Sequence, residues 1–147
     1  MQLPEYIPLA EVQRVCKELG LRDWTALSEN VVLPEEAATI RNLIGEEALQ
    51  VSTEEFQAGL EVELEHGLRF PDTNVTNNHP ILTGKIVVAH LKESLDYYLR
   101  LEIAELEGDL LKAVKISDAE KATSKYKRLA AVRLALALHE AQQLDQK

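Results

Sequence analysis

Ser52-Thr53-Glu54-Glu55-Phe56-Gln57-Ala58-Gly59-Leu60-Glu61-Val62-Glu63-Leu64-Glu65-His66-Gly67 spells out a helix from start to stop. Ser52 and Glu55 stand at capping-box spacing, where a hydroxyl and a carboxylate each satisfy an amide that the first turn leaves open. Phe56, Leu60 and Leu64 follow at helical intervals as one apolar stripe, and Gly67 supplies a stop. At about 100° per residue, Glu63 lies about 60° from Leu60, inside the edge of that stripe. His66 lies beyond Glu63, beside Gly59, where a missing side chain would let another helix approach.

The same punctuation recurs on both sides. Leu9, Val12, Val15, Cys16 and Leu19 are helically spaced and end at Gly20. Pro34 opens a second helix with Glu35 and Glu36 in its first turn, where the helix dipole favours acids. Ala37, Ile40, Leu43 and Ile44 give that helix its face, and Gly45 closes it. After a polar loop over about residues 68–83, rich in Asn, Asp, Thr and Pro, either Pro80 or Thr83 can start a fourth helix. Its body is expected from about Gly84 to near Lys115. Ser117-Asp118-Ala119-Glu120 reads as another capping box, opening a terminal amphipathic helix over 117–145 that carries Ala122, Tyr126, Leu129, Val132 and Leu136. No alternating β-branched run persists long enough for a sheet. The expected fold is all-α: a single domain, residues 1–147, built as a bundle of five or six helices with one long polar loop. Trp24 and Tyr6 are expected to hold the N-terminal segment to the body.

Composition narrows the function classes. The 147 residues are 46% hydrophobic and 28% charged, as in a globular chain rather than a disordered one. A formal charge of −9 repels phosphate backbones and argues against nucleic-acid binding. One cysteine, Cys16, leaves no internal disulfide and suits a reducing compartment. On the apolar face of the first helix it is expected to be a buried, inert thiol. No stretch reaches the roughly 18 consecutive apolar residues of a membrane helix, and the N-terminus lacks a basic stretch leading into an apolar run. The expected location is cytoplasmic, with no membrane partner.

Three phrases carry a likeness: Glu63 to Gly67 (ELEHG), Thr73 to Ile86 (TNVTNNHPILTGKI) and Ala89 to Leu101 (AHLKESLDYYLRL). They resemble a family of small, uncharacterised bacterial and phage proteins. In that family a Glu-rich helix ending in His-Gly leads through a TNVTN-type loop into an LTGKI helix with an AHL and a DYY. The likeness spans about residues 53–101. It implies that this segment is one unit, and it implies no activity.

Two residue pairs could bear chemistry. Glu63 with His66, and His90 with Glu93, are each three residues apart and project from one side of a helix. If the two helices face each other, two carboxylates and two imidazoles form a donor set suited to Zn, Fe or Mn. Tyr97, one turn beyond Glu93, and Asn77 from the loop could support such ligands from behind. The alternative uses the same residues without metal. His90 donates to Glu63 as a polar pair across the helix interface, His66 favours the C-terminal end of its helix, and Glu93 is a surface acid. The sequence therefore supports two readings and assigns no catalytic residue. One is a metal-binding helical protein. The other is a non-enzymatic interaction or oligomerisation module, with a second copy or a protein partner docking on the loop or the terminal helix.

Overall fold

A computed structural model describes residues 7–145, the Glu46 side chain excepted. The role expected for Tyr6 lies outside the described residues. The described chain is all-α, with six α-helices, three short 3-10 turns and no strand among the described residues. It divides into two compact units, one ending at Leu95 and the other beginning at Asp96. No described helix is long and apolar enough to cross a membrane.

The first unit holds α1 (Leu9–Leu19), α2 (Pro34–Ile44), α3 (Thr53–Arg69) and α4 (Pro80–Glu93). Its helices end where the local chemistry dictates. Gly20 takes φ 67°, a left-handed conformation that needs no Cβ, and its amide turns back to the Cys16 and Lys17 carbonyls. The Ser52 box forms as expected: Ser52 Oγ accepts from Glu55 N at 3.1 Å, and Glu55 Oε2 accepts from Ser52 N at 2.8 Å. The core lies where α2, α3 and α4 meet. Ile40 and Ala37 from α2, Phe56, Leu60 and Leu64 from α3, and Val87 from α4 are all fully or almost fully buried. Trp24 and Val12 extend that core under α1. Cys16 is buried with them, and burial pushes its thiol pKa up, as an inert cysteine requires.

Glycine sets the approach of α4 to α2. A Cβ on Gly84 would come within 2.8 Å of Ile40 Cγ2, so only a glycine lets the helices pack this closely. Gly67 plays a similar part against the loop, because a Cβ there would collide with the Asn78 and Asn74 side chains. It does not end α3, which runs on to Arg69.

Two expectations about helix limits are corrected. The fourth helix begins at Pro80, so the loop is shorter than 68–83, and a 3-10 turn over Pro71–Thr73 takes up part of what remains. His79 caps α4, its Nδ1 accepting from Ile81 N at 3.2 Å and Leu82 N at 3.4 Å. The helix expected to reach Lys115 is broken at Ser94, whose φ −162° and ψ 134° are extended.

The second unit is a hairpin of α5 (Tyr97–Lys115) and α6 (Ala119–Asp145). Asp118, not Ser117, caps α6: its Oδ1 accepts from Lys121 N at 2.9 Å, while Ser117 takes the left-handed φ 58° between the helices. Ion pairs Arg100–Glu140, Glu102–Arg128, Glu107–Arg133 and Asp109–Lys125 link α5 to α6 along the hairpin. Leu106, Leu129 and Val132 form its buried core, with Leu99, Ile103 and Leu110 packed against it.

Candidate functional site

Helix α3 presents Glu63 at the border of its buried stripe, and its side chain is only 11% exposed. Helix α4 crosses beside it and brings His90 Nε2 to 3.5 Å from Glu63 Oε1. His66, one turn on from Glu63, places Nδ1 at 3.9 Å from the other oxygen, Oε2. Both distances are longer than a charge-assisted hydrogen bond of about 2.8 Å and act as ion pairs only when an imidazole is protonated. Glu63 therefore stands between two rings, each facing a different carboxylate oxygen. His66 is 61% exposed and His90 28% exposed.

The other candidates fall elsewhere. Glu93 is exposed on α4 and forms no ion pair with a described residue. Tyr97 opens α5 in the second unit, its ring edge-on to Tyr98 at a centroid distance of 5.2 Å. Asn77, at φ 49°, donates from Nδ2 to the Ile7 carbonyl at 2.6 Å and so ties the segment before α1 to the loop. Among the described residues, no group of three or more His, Cys, Asp or Glu side chains is arranged to hold a metal ion.

Asn74 and Asn78 bond the loop to itself and to the end of α3. Asn74 Nδ2 donates to Asn78 Oδ1 at 2.9 Å and to the Gly67 carbonyl at 3.3 Å, and Asn74 Oδ1 accepts from Asn78 N at 3.3 Å. Asn78 takes φ 59°, a left-handed conformation that asparagine tolerates better than most residues. The TNVTNN run is thus a self-bonded turn clamped onto Gly67.

One polar centre escaped the sequence reading. Glu36, 2% exposed, accepts from Arg22 N, Nε and Nη2 at 2.9, 3.1 and 2.7 Å, from Leu33 N at 3.1 Å and from Trp24 Nε1 at 3.4 Å. Burial alone would raise this carboxyl, but the Arg22 guanidinium and the two amides outweigh it and hold its pKa below the ordinary value. Its signal was faint because Leu33, with no polar side chain, stands where a capping box normally starts. Between α2 and α4 there is also an open groove of about 590 Å³, floored by Ile44, Ile81, Val88 and Ala89 and edged by Lys85 and Lys92. Lys92 lies 3.5 Å from Glu47.

Both units leave large hydrophobic side chains exposed, Leu43 and Val75 among those of the first. In the hairpin, Leu111, Val114 and Ile116 at the end of α5, and Tyr126, Leu134, Leu138 and Leu144 on α6, are all more than half exposed. No curated protein and no solved structure matches the chain. A family model does match, over residues 12–107, which take in most of α1, all of α2 to α4 and the first half of α5. The chain belongs to that family, described as Protein of unknown function (DUF5661).

Proposed function

We propose that the protein is a non-enzymatic interaction module in which the first unit is a compact body and the α5–α6 hairpin is the docking element. The observation that carries this reading is the distribution of apolar surface on the hairpin. Among its described apolar residues only Leu106, Ala113, Leu129 and Val132 are buried, while seven large hydrophobic side chains from Leu111 to Leu144 stay more than half exposed. Several exposed apolar side chains over so small a core mark an interaction site more often than chance does. In this reading the Glu63–His90 contact is structural, a polar link between α3 and α4, and His66 sits near the C-terminal end of α3, where a cation is favoured. The test compares the full chain with its Leu134→Glu variant. Leu134 is 62% exposed, so the fold should survive, with an unchanged helical circular-dichroism spectrum. Self-association, or a co-purifying partner, should be present in the parent and lost in the variant. Identical behaviour of the two proteins overturns the reading.

A second reading, a Zn, Fe or Mn site drawing on Glu63, His66, His90 and Glu93, is favoured by one observation: two imidazoles face the same carboxylate. Elemental mass spectrometry on protein purified without chelators decides it. Near-stoichiometric metal that His90→Ala removes would support the site, and equal background in both proteins would end it.

A further inference from the structure

The exposed face of α6 has a regular spacing of its own. Ala130, Leu134, Ala137, Ala141 and Leu144 recur at alternating intervals of four and three, the a/d spacing along which helices pair. This seam is distinct from Leu129 and Val132, which α6 buries against α5. Leu134 and Leu144 are 62% and 69% exposed, and Tyr126 and Leu138 flank them at 59% and 57%. Helix α5 adds to the same side. Glu107 lies one and two turns before the exposed Leu111 and Val114, and its 2.6 Å pair with Arg133, beside Leu134, marks the side of the hairpin that carries both sets.

Charge selects the occupant and its direction. With Leu134 at an a position, Arg133 and Glu140 fall at g, while Ala131, Leu138 and Asp145 fall at e. A parallel second copy would place Glu140 against the other copy's Asp145, a like-charge contact, and would give Arg133 only Leu138. An antiparallel copy places g against g. Arg133 then meets Glu140 of the second copy, and the symmetry supplies that contact twice. In the same register Leu134 packs on Ala137 of the second copy, large against small, and Ala130 meets Ala141, which lets the two helices approach closely there. Within each hairpin Arg133 already faces Glu107 and Glu140 faces Arg100. Joining two copies therefore extends these pairs into rows of alternating sign, Glu107–Arg133–Glu140–Arg100.

We infer that α6 pairs with the α6 of a second copy of this chain, antiparallel, with Arg133 of each copy against Glu140 of the other. This deepens the interaction-module reading and rests on it. The test uses the full chain and two single variants, Arg133→Glu and Glu140→Arg, in sedimentation-velocity runs up to ~100 µM. The parent should dimerise, and each variant alone should dimerise at least roughly tenfold more weakly, because each brings like charges together twice. An equimolar mixture of the two variants should recover the dimer. In a mixed pair the glutamate introduced at position 133 meets the arginine introduced at position 140, and the remaining Arg133 meets the remaining Glu140. Disturbance inside either hairpin is the same in the mixture as in the separate samples, so recovery reports the contact between copies. Undiminished dimers in both variants, or no recovery on mixing, overturn the antiparallel pairing. A parent that stays monomeric overturns the second copy as occupant. If that monomer still carries a partner which Leu134→Glu removes, the interaction-module reading stands while this pairing falls, and if it carries none, both fall.

Discussion

At the scale of single residues, the first unit is held by polar groups in unusual capping roles. His79 serves as an N-cap through an imidazole nitrogen, which it can do only while Nδ1 carries no proton. Burial holds the His79 pKa below its ordinary 6.5 and Arg14 adds to this, against the opposing pull of Glu11. The unfolded chain therefore takes up a proton more readily than the folded one. The stabilisation is complete above pH 6.5 and is lost as the pH falls from there through the folded value. The variant His79→Asn keeps a capping acceptor that does not titrate. Its urea midpoint should track the parent near pH 8 and fall less steeply below pH 6.5; parallel curves at all pH values would remove His79 as the source. Glu36 is the other such residue. Glu36→Ala strips a buried carboxylate that accepts from three parts of the chain, and about 2–3 kcal/mol of unfolding free energy should go with it. That estimate is on the low side for a buried pair because Arg22 remains 38% exposed. A loss under about 0.5 kcal/mol, the range of an ordinary surface change, would contradict the role given to Glu36.

Helices were legible in the sequence to the extent that their ends are written in residues with one dominant use. Gly20, Pro34, Gly45 and the Ser52–Glu55 pair are of that kind, and each marks a real terminus. The break at Ser94 is not, because no glycine or proline interrupts the apolar spacing that runs from Leu91 past Leu95 to Leu99. The start at Pro80 was open because histidine is an uncommon cap. The Glu63–His90 approach was partly legible, since Glu63's angular offset puts it at the edge of the buried stripe. Glu93, at the edge of the α4 face, is exposed. Two element-level predictions follow from the observed ends and contacts. Asp118→Ala should cost about 1 kcal/mol by uncapping α6, seen as increased amide exchange in its first turn, and Ser117→Ala should not reproduce this. Gly84→Ala should cost about 1–3 kcal/mol by forcing α4 away from Ile40. A variant as stable as the parent would mean that the α2–α4 approach gives way at little cost.

On the scale of the whole molecule, the family match and the two compact units divide the chain differently. The match runs from residue 12 to 107, whereas the second unit begins at Asp96, so all of α6 lies beyond the family model. The family segment carries the Glu63–His66–His90 cluster and the Asn-rich turn, whose Gly67 and Asn74 are spent on packing and self-bonding. The hairpin keeps more than half of each of seven large hydrophobic side chains in water, against four, Leu9, Leu43, Leu49 and Val75, among the described residues of the longer first unit. A hairpin with so small a core of its own gains stability if another helical face covers it. The decisive measurement is the mass of the intact chain in solution by light scattering across a concentration series, with Leu134→Glu run in parallel. Pairing through α6 gives a parent mass that rises with concentration from 16.5 kDa towards twice that value, and a variant that stays at 16.5 kDa. A parent that remains at 16.5 kDa throughout, or a variant that associates as the parent does, would contradict it.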